Sequence, residues 1–394
     1  MGGVNLPSPR LYNTESRLVE TLDETDVGIY VCGVTPYDTS HLGHAFTYTV
    51  FDVLIRYLRF AGRSVTYVQN VTDIDDDVLM RADKLGVDWQ ELGKREYASF
   101  QEQMRALGNL PPDVAPRATE HIPEMMRIVA GLVDKGCAYE SGGGVYFEVD
   151  KDPEFGRLFR EPYEAMLEIA NERGNFPADS LKRDPLDFVL WQHQKPGEPA
   201  WDSPWGPGRP GWHIECSAMA MKYLGDTVTV HGGGDDLVFP HHDAEIAQAE
   251  NFTGQPFVRH WVHAAMVYCG EHKMSKSLGN MVFVSDLLQQ VSADAVRLYL
   301  LSHHYRKPWD HPIGAPVPTD DLAERLGQAF ANAREATDEE IEGYGGAFID
   351  RIVDDLDTPG AIHELEALAD EHDPAAQRVG AMLGKIVLGL RFQG

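Results

Sequence analysis

The chain has 394 residues, of which 43% are hydrophobic and 24% charged, a composition typical of a globular enzyme and not of a disordered protein. Its formal net charge of -28 excludes a broad basic surface, so we expect any contact with nucleic acid to be local. No stretch reads as a membrane helix or a signal peptide, and we expect a cytoplasmic protein with no membrane partner. The four cysteines show no tight pairing, which favours metal or catalytic roles over disulfides.

Residues 1–110 predict the first half of an α/β catalytic domain. An apolar run over 28–32 indicates a strand, the spacing of apolar side chains over 50–58 indicates a helix, and the β-branched run 65–71 indicates a second strand. This order of elements favours a Rossmann-like parallel sheet. The acidic run 73–77 that follows is typical of a solvated loop or a helix N-terminus.

The remainder of the chain divides into three further segments. Residues 111–211 are irregular and end in a passage rich in Pro and Trp, so we interpret them as a connective insertion between two halves of the sheet. Residues 212–284 resume the sheet with a strand at 228–231 and form the second half of the catalytic domain. Residues 285–394 predict a C-terminal helical region made of acidic amphipathic helices.

Two short motifs far apart in sequence together predict a nucleotide site. In His41-Leu42-Gly43-His44, the histidines lie where a strand ends and a helix begins, and Gly43 allows a ligand close to the backbone. In Lys273-Met274-Ser275-Lys276, two lysines lie in a glycine-flanked loop suited to closing over phosphate charge. The alternatives are partly exposed loop histidines and an ordinary solvated basic loop. Together the motifs supply the positive charge and hydrogen-bond donors that the triphosphate of ATP requires on both sides.

A second set of residues has the donor types of a zinc site. His241 and Glu245 are one helical turn apart, and Cys32 and Cys216 would add two thiolates to an imidazole and a carboxylate. Such a set suits tetrahedral Zn²⁺. The alternative is a pair of buried free cysteines with no metal.

A glycine-rich turn after the strand at 228–231 is a third element. Gly233 would allow close approach of an adenosine, and Asp236 could accept hydrogen bonds from ribose hydroxyls. A tight turn with no ligand is equally compatible with this sequence. Trp261 and His263 could pack near the adenine or could be aromatic side chains of a core strand.

With these motifs assembled, the chain resembles the cysteinyl-tRNA synthetase family of class I aminoacyl-tRNA synthetases, and its relative the mycothiol cysteine ligase. The resemblance extends from Leu11 to Pro359. It is carried by Tyr30-Val31-Cys32-Gly33, His41-Leu42-Gly43-His44, Asn70-Val71-Thr72-Asp73-Ile74-Asp75-Asp76, Gly211-Trp212-His213-Ile214-Glu215-Cys216-Ser217, Phe239-Pro240-His241-His242 and the segment from Lys273 to Asn280.

The resemblance implies a HUP-type catalytic core that forms cysteinyl-adenylate from L-cysteine and ATP with Mg²⁺. One Zn²⁺ would bind the substrate thiolate, which distinguishes cysteine from serine better than an apolar pocket does. The implied zinc ligands are Cys32, Cys216, His241 and Glu245, and the implied cysteine pocket contains Gly33, Thr35, Trp212 and His231. The catalytic residues would be His41, His44, Lys273 and Lys276, with Gly43, Gly233, Asp236, Trp261, His263, Met274 and Ser275 at the nucleotide.

The acceptor of the activated cysteine stays open between two candidates. The absence of an anticodon-binding domain up to Gly394, the order Gly33-Val34-Thr35-Pro36 and Ala45-Phe46 resemble the mycothiol ligase. Glu245 and the sequence Ser277-Leu278-Gly279-Asn280 resemble the synthetase. We favour the acceptor stem of tRNA-Cys narrowly over a small amino sugar such as glucosaminyl-inositol. A non-catalytic cysteine- or nucleotide-binding paralogue is the third hypothesis, and we expect a monomer.

Overall fold

The computed structural model describes residues 6–37, 40–275, 278–331 and 333–392 of the chain. Its strands are β1 (Arg10–Asn13), β2 (Leu18–Thr21), β3 (Asp26–Val34), β4 (Ser64–Val71), β5 (Ala138–Ser141), β6 (Gly144–Phe147), β7 (Phe188–His193), β8 (Gly208–Pro210), β9 (Val228–Gly234), β10 (Val258–Ala264), β11 (Val267–Cys269), β12 (His272–Lys273) and β13 (Trp309–His311). Its α-helices are α1 (Leu42–Phe60), α2 (Asp76–Leu85), α3 (Trp89–Ala106), α4 (Ile122–Asp134), α5 (Tyr163–Glu172), α6 (Trp212–Leu224), α7 (Asp243–Thr253), α8 (Val284–Leu288), α9 (Ala293–Leu301), α10 (Asp320–Phe330), α11 (Asp338–Tyr344), α12 (Gly346–Val353), α13 (Thr358–Asp370) and α14 (Pro374–Ile386).

The central sheet is parallel, as the sequence predicts. Its strand order is β10-β9-β3-β4, and every neighbouring pair in it is parallel. Most residues of β3, β4, β9 and β10 are buried, the pattern of a sheet covered on both faces. The adjacent strands β3 and β9 come from the two predicted halves of the catalytic domain. The prediction of a Rossmann-like α/β core is confirmed.

Helix α1 forms because its sequence buries most of its length against this sheet. Thirteen of its side chains are buried, including Phe51 and Leu54 in the largest core cluster. His41 caps the N-terminus, since its Nδ1 accepts a hydrogen bond from the Gly43 N–H at 3.1 Å. The C-terminus ends with Gly62 at φ +76°, a conformation that glycine adopts without steric cost. The helix begins at Leu42, after the loop that follows the carboxyl end of β3 at Val34.

A separate antiparallel sheet lies between β4 and β9 in the sequence. Its order is β5-β6-β7-β8, and its core includes the fully buried Trp191. The sequence analysis did not identify these strands, because they are short and interrupted by turns with irregular patterning. They fall inside the segment 111–211 that we predict to be an insertion, and the domain boundaries stay predictions.

The C-terminal part is mainly helical and is tied to the catalytic core by buried ionic contacts. Ser292 caps α9, with its Oγ accepting from the Ala295 N–H at 3.1 Å. The fully buried Arg297 of α9 forms an ion pair with Asp52 of α1 and donates to the Leu388 carbonyl. The helices from α10 to α14 pack beside these elements. Among the described residues, no helix has the length and apolar character needed to cross a membrane.

Candidate nucleotide and metal site

The carboxyl ends of β3 and β9 open into one cavity of about 1620 Å³. This is where ligands bind in open parallel sheets, because adjacent strands there send their connections to opposite faces. The structure brings most of the predicted site residues to this cavity. Those that border it are Cys32, Gly33, Thr35, His41, Gly43, His44, Trp212, Asp236, Lys273, Met274 and Ser275.

Four side chains meet beneath one wall of the cavity with the geometry of a possible metal site. Ligand atoms of Cys32, Cys216, His241 and Glu245 all lie within 4.8 Å of one another, and all four residues are buried. The two Sγ atoms are 3.9 Å apart, and Cys32 Sγ lies 3.6 Å from Glu245 Oε1. His241 Nε2 is 3.0 Å from the same carboxylate oxygen. These are the four ligands that the family resemblance implies.

The surroundings of His241 orient its imidazole ring toward the cluster. Its Nδ1 is hydrogen-bonded to Nδ1 of His213 at 2.9 Å, so Nε2 faces Glu245. The Trp212 ring stacks on the same imidazole with ring centroids 4.2 Å apart. A hydrogen bond at one ring nitrogen is the usual way in which a metal-binding histidine is held. The bordering residue Trp212 therefore links the cavity to the cluster.

A second histidine pair borders the same cluster. Ligand atoms of His231 and His242 also lie within 4.8 Å of those of Cys32 and Glu245. Cys32 Sγ is 3.5 Å from His231 Nε2 and 3.3 Å from His242 Nε2. His242 continues a hydrogen-bond chain, since its Nδ1 lies 2.7 Å from Nε2 of His263, which in turn bonds Thr14. Two overlapping donor sets thus share a thiol and a carboxylate.

Burial controls the ionisation of these side chains. Burial raises the pKa of Cys32 and of Glu245 well above their usual values and lowers the pKa of His231 and His242 well below theirs. The Cys216 thiol differs: burial opposes its ionisation, but hydrogen bonding to Cys32 and the nearby His241 bring its pKa down to about 7. A positive ion at the cluster would favour the thiolate and carboxylate forms that burial disfavours.

The opposite side of the cavity carries the two histidines of the first motif. The rings of His41 and His44 stack with centroids 3.9 Å apart. Burial lowers the pKa of His41 well below its usual value, and the neighbouring His44 and Lys273 act in the same direction. Burial also lowers the pKa of His44. Because Nδ1 of His41 accepts the Gly43 N–H, the proton of the neutral ring lies on Nε2. That N–H can donate to an anion.

The packing around these rings leaves little space for a side chain at Gly43. A Cβ at this position would lie 3.0 Å from the His41 ring and 3.5 Å from the Met274 side chain. The backbone of the first motif therefore contacts both the histidine and the loop of the second motif. This close approach brings the two motifs to one place, although they are more than 200 residues apart in sequence.

The loop of the second motif is held by Asn280, which the sequence analysis did not single out as a site residue. Its Oδ1 accepts from the Ser275 N–H at 2.9 Å, and its Nδ2 donates to the Cys269 carbonyl at 3.0 Å. Lys273 Nζ lies 3.4 Å from Asp236 Oδ2 at the cavity, whereas Lys276 lies outside the described residues. An asparagine at the far end of such a loop is the sequence signal for this bracing role.

Besides the cluster residues Cys216, His241 and Glu245, four predicted site residues among those described do not border the cavity. Trp261 and His231 are fully buried, with ring centroids 4.6 Å apart, and His263 is buried behind His242. The placement of Trp261 and His263 corresponds to the alternative of aromatic side chains in a core strand, and it does not correspond to contact with an adenine. A Cβ on the fourth, Gly233, would meet Leu237 at 2.8 Å, so this glycine serves close packing within the protein.

The sequence analysis also missed side chains that support the site. His242 was quoted only as part of a motif, yet it contacts Cys32. The signal was its place next to His241 and three residues before Glu245, on the same helical turn. Glu215 and Asp75 border the cavity as well. Burial and the neighbouring Asp75 raise the pKa of Glu215 well above its usual value.

Solved structures identify the class of fold to which this architecture belongs. The chain is similar to methionyl-tRNA synthetase of Mycobacterium tuberculosis in complex with methionyl-adenylate, with a TM-score of 0.64, 15% identity and 92% of each chain covered. It is also similar to the leucyl-tRNA synthetase of Agrobacterium radiobacter K84 in a ternary complex, with a TM-score of 0.63 and 12% identity over 93% of this chain and 84% of that one. The fold is therefore that of a class I aminoacyl-tRNA synthetase.

Sequence comparison narrows this class to one family. The model of the family "tRNA synthetases class I (C) catalytic domain" matches residues 18–313, and the chain belongs to this family.

Two kinds of relatives share a high identity with the chain. It is 47% identical over 381 residues to a cysteine–tRNA ligase of Syntrophobacter fumaroxidans, which covers 91% of this chain and 76% of the relative. It is 49% identical over 306 residues to a cysteine–tRNA ligase of Thermodesulfovibrio yellowstonii, and this alignment covers 76% of the chain and 62% of the relative. It is also 47% identical over 361 residues to an L-cysteine:1D-myo-inositol 2-amino-2-deoxy-alpha-D-glucopyranoside ligase of Frankia alni. This alignment covers 90% of the chain and 86% of the relative.

Proposed function

We propose that the chain activates L-cysteine with ATP and transfers it to tRNA-Cys, as a cysteine–tRNA ligase. The observation that carries this proposal is one cavity that joins a thiol-rich donor cluster to the two phosphate-binding motifs. Cys32 and Trp212 border this cavity together with His41 and Lys273. The identity of 47% with the ligase of Syntrophobacter fumaroxidans supports the same activity.

The donor set fits Zn²⁺ as the resident metal. Cys32, Cys216, His241 and Glu245 offer two sulfur atoms, one nitrogen and one oxygen at mutual distances that one ion can span. When bound, zinc supplies a Lewis acid that holds a substrate thiolate and rejects a hydroxyl. The unusual burial of one carboxylate, two thiols and the neighbouring histidines supports an ion, because the protein alone leaves Glu245 Oε2 without a hydrogen-bond partner among the described residues.

Activation then follows from positioning and charge. A carboxylate oxygen of cysteine attacks the α-phosphorus of ATP, the bond from this phosphorus to the bridging oxygen breaks, and pyrophosphate leaves with that oxygen. The Nε2–H of His41 and the ammonium of Lys273 face the charge that develops on these oxygens. Lys273 pairs with Asp236, so a bound phosphate would replace one anionic partner of this ammonium by another.

Transfer completes the reaction. A hydroxyl oxygen of the terminal ribose attacks the carbonyl carbon of cysteinyl-adenylate, a new ester bond forms, and the bond between this carbon and the phosphate oxygen breaks. AMP leaves with the bonding electron pair, and the hydroxyl proton passes to water. No covalent intermediate with the chain is needed, because the adenylate is already an activated acyl group.

The experiment that tests the proposal incubates the purified chain with radiolabelled cysteine, ATP and either tRNA-Cys or glucosaminyl-inositol. We expect label to enter the tRNA in an alkali-labile ester and AMP to accumulate in equal amount. Label in neither acceptor, together with no AMP, would overturn the proposal.

A second acceptor is supported by one specific observation. The amino-sugar ligase of Frankia alni is 47% identical to this chain over 86% of its own length. The same adenylate would then be attacked by an amine nitrogen and give an amide. Label that enters glucosaminyl-inositol and resists mild alkali identifies this second function.

A further inference from the structure

The cavity has an acidic lobe that neither the metal cluster nor the phosphate motifs account for. We define the acidic lobe as Asp75, Asp76, Asp77 and Glu215, all of which border the cavity. The three aspartates lie at the beginning of α2, and Glu215 comes from the first turn of α6. Two unconnected elements therefore present carboxylates to the same space.

The cations next to the acidic lobe are already paired. Arg209 is buried and forms ion pairs with Asp76 and with Glu198, the latter at 3.3 Å. Lys195 Nζ lies 3.7 Å from Asp76 Oδ1 and 3.9 Å from Glu198 Oε1. Within the described part of the chain, Asp75 and Glu215 form no ion pair with a cation. The lobe therefore keeps uncompensated hydrogen-bond acceptors.

Glu215 gives the independent sign of a ligand. The residue is 1% exposed and borders the cavity, and its Oε2 has no hydrogen-bond partner among the described residues. A buried acceptor without a donor costs free energy, which a bound donor would recover. Asp75 beside it is fixed in direction, because its Oδ1 caps α2 by accepting the Asp77 N–H at 3.0 Å.

The acidic lobe matches neither the phosphates of ATP nor the thiol of cysteine. ATP phosphates are repelled by carboxylates and have their own partners at His41 and Lys273. The substrate thiol belongs beside Cys32. The third reactant is the acceptor, whose attacking group is carried on a sugar ring in both candidate reactions.

We propose that the acidic lobe is the acceptor subsite, in which Asp75 and Glu215 bind the sugar ring that carries the attacking group. Carboxylate oxygens accept hydrogen bonds from neighbouring ring hydroxyls, and they also accept them from an amine. This inference rests on the proposed function, because it assigns the acceptor of that same reaction. The shared chemistry is a polyhydroxylated ring, from the terminal ribose of tRNA or from a free amino sugar.

The test compares activation with transfer in the variants Asp75→Asn and Glu215→Gln. Asparagine is an N-cap as good as aspartate, and glutamine keeps the shape of glutamate, so both variants replace a carboxyl oxygen by an amide nitrogen and leave packing in place. Activation is measured as cysteine-dependent exchange of pyrophosphate into ATP. Transfer is measured in separate arms with tRNA-Cys and with glucosaminyl-inositol, at varied acceptor concentration. Asp83→Asn is the matched control, because it removes one charge from an exposed position of α2 that does not border the cavity.

In each variant we expect the KM for the acceptor used by the wild type to rise at least about tenfold. This rise should exceed any change in the rate of pyrophosphate exchange by a factor of at least about ten. Asp83→Asn should change neither assay. An unchanged acceptor KM in Asp75→Asn overturns the proposal, as does an equal loss of exchange and transfer or a raised KM for cysteine. If the wild type catalyses exchange but labels neither acceptor, both the subsite and the transfer step fail. If it catalyses no exchange, the proposed activation itself fails.

Discussion

The Sγ atoms of Cys32 and Cys216 lie 3.9 Å apart, although 184 positions separate the two residues in sequence. One residue lies near the end of β3 and the other in the second turn of α6, so only the folded sheet and its covering helix bring the thiols together. This distance is too long for a disulfide bond and suits two ligands of one ion. The relationship connects the fold to the proposed selection of a thiol substrate.

Replacement of Cys216 by serine should remove both the metal and the preference for cysteine. Elemental analysis should find about one zinc per wild-type chain and much less in Cys216→Ser. In pyrophosphate exchange, the cysteine-over-serine ratio of kcat/KM should fall to about 200 or less, the range that an apolar pocket provides. Cys137→Ser is the control, because this half-buried thiol contacts Asn251 outside the cluster. A metal-free variant with full selectivity would contradict the account.

Replacement of Lys273 by alanine should slow the activation step. Loss of one charged donor to the developing phosphate charge typically costs about 10²- to 10³-fold in kcat. We expect this loss in exchange, with an unchanged metal content and with Lys94→Ala, an exposed residue of α3, as the control. Lys276 lies outside the described residues, and the sequence predicts a loss in the same direction for Lys276→Ala. Equal activity of Lys273→Ala and wild type would exclude the assigned role.

Asp75 should make stability depend on pH in a definite direction. Burial raises the pKa of its carboxyl to about 6, above the value near 3.9 of an unfolded chain. Between these values the folded state binds more protons than the unfolded state, so the free energy of unfolding falls as pH rises from about 4 to 6. The two-unit difference corresponds to roughly 3 kcal/mol, which Asp75→Asn should abolish. Urea denaturation of both proteins at pH 4 and pH 7 measures it; parallel pH profiles would contradict it.

The buried pair of Arg297 and Asp52 should be sensitive to loss of one partner. Arg297→Met leaves the Asp52 carboxylate buried beside Arg56 alone and should lower the free energy of unfolding by about 3–5 kcal/mol. Arg325→Met, which removes an exposed pair with Glu366, should cost about 1 kcal/mol or less. A double variant that also carries Asp52→Asn should be less destabilised than the sum of the single changes. Additive effects would show that the pair is not coupled.

The parallel core could be predicted from the sequence because its signals are local. The apolar strand at 28–32, the helical spacing over 50–58 and the β-branched strand at 65–71 each follow from side-chain periodicity, and all three are confirmed by β3, α1 and β4. The order β10-β9-β3-β4 was not predicted, because pairing of β3 with β9 depends on contacts across 200 residues. The hairpin of β1 and β2 and the antiparallel sheet were missed because their strands are mostly three or four residues long.

The candidate site was predicted only in part, because only some of its residues are close in sequence. His241 and Glu245 are one helical turn apart, so their proximity could be inferred, whereas the approach of Cys32 to Cys216 came only from the family resemblance. Burial is not visible in a residue pattern, which is why Trp261 and His263 could not be separated from cavity residues. The lack of a hydrogen-bond partner for Glu215 Oε2 among the described residues depends on the neighbours of one oxygen atom, and no spacing rule predicts it.

The most direct test of the account is ATP–pyrophosphate exchange by the wild-type chain with cysteine, with serine and with no amino acid. We predict rapid exchange with cysteine, exchange with serine lower by far more than the roughly 200-fold of an apolar pocket, and none without an amino acid. Exchange that proceeds equally with serine, or that needs no amino acid, would contradict the claim that one cavity joins a thiol-binding cluster to the phosphate motifs.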